Sequence, residues 1–223
     1  NPKDIYVAEN RLVLLGSTYR QFEDVKAFYG GSRAKVVILD IPDKKNPKEE
    51  RFVEFDGYEI SSRRIGSRLY LVLNQNPPYR ILEAGDAAEK LIPQFRDSRN
   101  AEDLPVSRCG DIRFLPRYDQ PNFLIVASFD VTKPDSDVQR EVVMGSGQTV
   151  YASIESLYVA ATRHDYPEFE KFDIWNPPAL NEKTAIFRFS LANGKVTYKS
   201  QGEVKGHILN QFAMDENIDA FRI

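Results

Sequence analysis

The chain has 223 residues, enough for one large or two small domains with a real core. Its 30 basic and 33 acidic side chains leave a formal net charge of −3, which offers no broad cationic surface for nucleic acid. A single cysteine, Cys109, rules out an internal disulfide framework, and no apolar run approaches the roughly 18 residues of a helical membrane span.

The chain opens on Asn1-Pro2-Lys3-Asp4, directly before a strand, and so reads as a processed or excised piece. Ile5-Tyr6-Val7 is a strand, Glu9-Asn10 a turn, and Arg11 to Gly16 a second strand. A polar and aromatic loop runs from Ser17 to Arg33. Lys35 to Ile41 is a third strand, apolar enough to be covered on both faces, and Arg51 to Phe55 a fourth.

The same order then repeats. Tyr58 to Ser62 and Arg68 to Leu73 flank the turn Gly66-Ser67. A long insertion from Gln75 to Gln120 contains one helix-forming stretch, Asp86 to Phe95, which Pro93 limits to a turn or two. Phe123 to Phe129 and Glu141 to Met144 complete the second unit, and Gly145-Ser146-Gly147 links onward. The third unit is the cleanest. Its strands are Val150–Ser153, Leu157–Thr162, Ala185–Leu191 and Val196–Ser200. The turn Asn193-Gly194 between the last two is a strong hairpin signal. A fourth unit starts as a strand over His207 to Phe212, turns between Asp215 and Asp219, and stops after Phe221-Arg222-Ile223.

Leu12, Leu69 and Leu157 hold the same place in their units. Recurring four-stranded units of this size read as β-propeller blades, with an irregular β-sandwich as the rival. The expectation is an all-β propeller fragment spanning 1–223. It has blade-like units 5–57, 58–147 with insertion 75–120, 148–206, and an incomplete 207–223.

Four stretches carry a family resemblance: Ile60-Ser61-Ser62-Arg63, Pro93 to Ser98, Val150 to Ser153, and Leu209-Asn210-Gln211-Phe212-Ala213-Met214-Asp215-Glu216. In this order they resemble the secreted β-propeller domain family of archaea and bacteria, and Phe221-Arg222 matches the stretch that follows the last motif. The resemblance implies a propeller outside the membrane, extracellular or at the cell surface. It supplies no reaction and no catalytic residues.

In a meandering blade, the connection from strand two to strand three and the link to the next blade leave from one face. All three long segments, 17–33, 75–120 and 163–183, are two-to-three connections, so they crowd that face. Long loops on a rigid scaffold are where recognition concentrates. These carry aromatic and arginine anchors: Tyr29 in the first, Arg96 in the second, His164, Tyr166 and Trp175 in the third. For any one of them, pinning its loop to the rim is the plainer role. The expected function is therefore a non-catalytic recognition or scaffold module for a protein or glycan.

The alternative is part of a secreted hydrolase or other enzyme. Its site would lie at the channel mouth, with first-strand residues such as Thr149, Tyr151, His207 and Asn210. No catalytic constellation supports it. Gly145-Ser146-Gly147 lacks the spacing of a nucleophile elbow. His164 and Glu168 would suit a metal only on a helix, which Pro167 opposes. Asp130, Asp135 and Asp137 depart from a calcium loop and read as a solvated turn. Arg63, Arg64 and Arg68 read as a solvated strand edge. No cofactor or metal is expected. An incomplete ring leaves open blade edges, so self-association is expected as well.

Overall fold

A computed structural model of the protein describes residues 2–21, 30–77, 91–114, 122–165, 181–218 and 220–223, with the backbone alone at Arg20, Gln21, Gly30, His164, Asp165 and Asn181. The chain divides into two compact units, Asn1–Ser146 with Gly194–Val196, and Gly147–Asn193 with Thr197–Ile223.

In the first unit, β1 (Pro2–Ala8), β2 (Arg11–Gln21), β3 (Gly30–Asp40) and β4 (Lys48–Asp56) form an antiparallel meander in chain order. The second sheet is built from β5 (Tyr58–Ile65), β6 (Arg68–Gln75), β9 (Phe123–Asp130) and β10 (Gln139–Met144). Between β6 and β9 the chain returns to the first sheet. There β7 (Gln94–Asp97) pairs with β4 and β8 (Leu104–Pro105) pairs with β7, making six strands. The described part of the insertion is thus an extension of the preceding blade, not a loop. The short helix expected over 86–95 lies mostly outside the described residues, and its described end is strand, where Phe95 pairs with Phe55 and packs beneath its ring. Pro105, with no amide to donate, ends the sheet at β8 and blunts that edge.

Alternation sets the core. Val13, Leu15, Val36, Ile38, Val53 and Phe55 on the first sheet pack into one cluster with Leu69, Leu71, Leu73, Ile125, Ala127 and Phe129 on the second. Each of the Val, Leu, Ile and Phe side chains contributes about 1.5–3 kcal/mol by leaving water. β6 and β9 are buried at nearly every position, as strands covered on both faces are. The same expectation for Lys35–Ile41 is corrected. Val36 and Ile38 are buried, but Val37 and Leu39 are only half-buried. These two belong to the rows Ile5–Leu14–Val37–Phe52 and Val7–Leu12–Leu39 on the other face, where Ile5 and Val7 are exposed.

In the second unit, β11 (Thr149–Ala152), β12 (Ser156–Asp165), β13 (Asn181–Ser190) and β14 (Thr197–Lys205) form the third meander. A short hairpin, β15 (Asp215–Asn217) with β16 (Ala220–Arg222), follows. The strand expected over 207–212 is instead irregular chain ending in a 3-10 turn at Gln211–Ala213. The Asn210 side chain accepts from the Phe212 amide and holds the turn, a local bond that competes with strand pairing. Asp215–Asn217, expected as turn, is the strand. Among the described residues no helix is long and apolar enough to cross a membrane.

Candidate functional site

In each sheet the second and third strands meet, at one end, in the pair from which a long connection springs. These pairs are Gln21↔Gly30, Gln75↔Phe123 and Asp165↔Asn181. Of the candidate binding residues, Tyr29, Tyr166 and Trp175 lie outside the described residues. His164 is placed by its backbone in β12, opposite Glu182. Arg96 is in strand β7 and not in a loop; its guanidinium lies 5.9 Å from the Phe52 ring, on the exposed face of the strand.

One residue further along β7, alternation turns Asp97 inward. It receives the buried Arg51 guanidinium in a two-point ion pair, Nη2 to Oδ2 at 2.6 Å and Nε to Oδ1 at 3.1 Å. Arg99 adds Nε and Nη2 donors to Oδ2 at 3.1 and 2.9 Å. Burial pushes the Asp97 carboxyl up, but the bonds from Arg51 and Arg99 prevail and hold it below the ordinary carboxylate value. Arg51 also donates to the carbonyls of Pro134 and Ser136, fastening the turn between β9 and β10. Planar bidentate geometry is what arginine supplies and lysine cannot.

That turn is the candidate calcium loop, and its chemistry is internal. Asp130 accepts from Ser67 Oγ at 2.9 Å and from the Thr132 amide and hydroxyl at 3.0 and 2.7 Å. Burial raises the Asp130 carboxyl and these bonds lower it, with a net lowering. Asp135 and Asp137 face solvent. Among the described residues no three metal-ligating side chains converge.

Beside the ion pair lies a groove of 430 Å³ between β7, the turn at Asn100, and the start of β10. Arg140 lies over the Phe95 ring at 3.9 Å and donates to the carbonyls of Val106 at 2.9 Å and Val138 at 3.1 Å. Nothing in the sequence distinguishes Arg140 from a solvated arginine. Only the packing of β7 near β10 brings it to the groove.

The first strands carry a second polar cluster. Ser62 Oγ donates to Asp4 Oδ2 at 2.6 Å and shares a 2.7 Å hydrogen bond with Tyr6. Burial raises the neighbouring Glu59 carboxyl. Ser62 is only 2% exposed, so it offers no accessible nucleophile.

Of the residues suggested for a channel-mouth site, Thr149 pairs with Ala160 in the third sheet and the other three serve separate local structures. Tyr151 Oη accepts from the Glu216 amide, His207 Nδ1 lies 2.8 Å from Glu182 Oε2, and Asn210 caps its turn. Glu216 itself accepts from Tyr158 at 2.7 Å, and Phe221 stacks on Tyr158 at 3.8 Å. These contacts seat the β15–β16 hairpin on the third sheet.

Four-stranded antiparallel meanders, repeated with long connections at corresponding places, define the class: an all-β protein built from propeller blades. Residues 1–223 match the Beta propeller domain family, and the chain belongs to it as a partial β-propeller. Comparison with curated proteins and with solved structures gave no match.

Proposed function

We propose that this domain is a recognition module that binds a protein or glycan through its long two-to-three connections, outside the cytoplasm. A propeller domain supports a binding or scaffold role in general. The observation that supports the finer reading is the corresponding place of those connections within their own sheets, at Gln21↔Gly30, Gln75↔Phe123 and Asp165↔Asn181, each on paired strands. Rigid strand ends pre-organise a loop and reduce the ordering cost of binding. Tyr29, Arg96, His164, Tyr166 and Trp175 are the proposed anchors. Arg96 is exposed on strand β7, opposite Glu54 of β4.

Binding of cell-surface glycan and protein extracts to immobilised domain tests this reading. Trp175→Ala and Arg96→Ala should each weaken binding by about 2 kcal/mol. Unchanged affinity in both folded variants overturns it.

Self-association is part of the same proposal. The apolar rows through Ile5, Val7, Leu14 and Val37 form a sheet face that a second copy can cover.

A further inference from the structure

We propose that the groove beside Arg140 is a binding site for a carboxylate monoanion with a short apolar body. The site lies wholly in the first unit and is independent of the connections assigned to recognition above.

Charge is the first ground. Arg51 and Arg99 share the single buried carboxylate of Asp97. Arg140 is the third guanidinium of the cluster, and among the described residues no carboxylate lies within ion-pair distance of it. Its Nε and Nη1 go to two backbone carbonyls and its face to Phe95, and the side chain lines the groove, where Nη2 is the donor these contacts do not use. The remaining acid, Asp137, sits at the rim with its side chain 87% exposed, 3.9 Å from Arg99. Three cations against two carboxylates leave one positive charge. Burial lowers the Arg140 guanidinium from its usual value and outweighs the opposing pull of the Asp137 and Asp97 carboxylates.

Shape and lining are the second ground. The groove's 430 Å³ falls within the range of small-molecule sites. Leu104 and Val138 supply apolar wall, while Asn100 and Gln139 bring side-chain amides. A planar carboxylate can take Arg140 Nη2 and one amide while its tail lies on Leu104. A dianion such as phosphate would exceed the single unbalanced charge and face Asp97 and Asp137.

The test is an NMR titration of the folded domain, reading arginine Nε–Hε signals, with isovalerate, its neutral amide isovaleramide, and inorganic phosphate. Isovalerate should give saturable shifts at Arg140 with Kd on the order of a millimolar, as befits so small a ligand. Isovaleramide and phosphate should bind at least about tenfold more weakly, the value of one charge-assisted hydrogen bond. Arg140→Gln should abolish the isovalerate shifts. Should that variant not fold, Leu104→Trp, which fills the mouth at a half-exposed position, should abolish them instead. A glutamate-bearing peptide run alongside shows the source of the carboxylate, since tighter binding than isovalerate assigns it to a protein side chain. Absence of saturable shifts in the wild-type protein overturns the proposal. So does equal binding of the amide, tighter binding of phosphate, or indifference to both substitutions.

Discussion

Arg51 and Asp97, 46 residues apart in sequence, form a two-point ion pair with side chains 0% and 1% exposed. The pair ties β4 to β7, and through the Pro134 and Ser136 carbonyls it ties both to the turn of the next sheet. Removing Asp97 leaves the buried Arg51 guanidinium without a counter-charge, and removing Arg51 leaves the buried Asp97 carboxylate with Arg99 alone. Asp97→Ala should cost about 3–5 kcal/mol, read as a shift in the denaturant midpoint, and Arg51→Met less, because Arg99 stays bonded to Asp97. Replacing both with apolar residues together should recover much of that loss.

Acid should weaken the fold in a defined direction. Asp97, Asp130 and Glu216 are all raised by burial, then lowered further by their hydrogen bonds, so each sits below its unfolded value. A lowered folded pKa gives stability that is complete above the unfolded value, about 3.9 for Asp and 4.3 for Glu, and is lost as pH falls through the folded one. Urea midpoints should therefore drop below about pH 4. Glu59 has the opposite sign, because burial raises it. Its contribution is present below the unfolded value and is lost as pH rises through the folded one. Glu59→Gln should raise the midpoint near neutral pH and leave it unchanged in acid.

Gly57 joins β4 to β5 at φ 108°, and a Cβ there would lie 2.3 Å from the Asn74 carbonyl oxygen. Both the dihedral and the close approach require glycine. Gly57→Ala should destabilise the first unit by about 2 kcal/mol or more in equilibrium unfolding. Ile218 is the contrary case. It is a β-branched residue at φ 53° and 90% exposed, so Ile218→Gly should raise hairpin stability by about 1 kcal/mol.

The hairpin β15–β16 depends on Phe221 over Tyr158 and on Glu216. Phe221→Ala should remove hydrogen-exchange protection from residues 215–222 while β12 and β13 keep theirs. Equal loss in both would show that the hairpin and sheet open as one unit.

Ile5→Glu and Leu14→Glu place charge on the exposed apolar rows of the first sheet. If a second copy covers that face, sedimentation at micromolar concentration should show association in the wild-type chain and a monomer in both variants.

Alternating β-branched and aromatic runs, with Glu9-Asn10, Gly66-Ser67 and Asn193-Gly194 between them, mark the strands of the first three meanders, but β2, β3, β12 and β13 run on into stretches read as loop, 17–21, 30–33, 163–165 and 181–183. Strand propensity, turn chemistry and short-range pairing are local, and a sequence displays local preferences directly. The return of Gln94–Asp97 to β4, by contrast, is a pairing across 40 residues or more whose partner no local pattern names. Over 207–212 the chain is not strand, and the Asn210 side chain accepts from the Phe212 amide, a local bond that the apolar pattern does not display. The roles of Arg51, Asp97 and Arg140 could not be read beforehand either. A charged residue on a strand looks solvated until a second segment covers it, and burial is a property of the covering segment as much as of the residue.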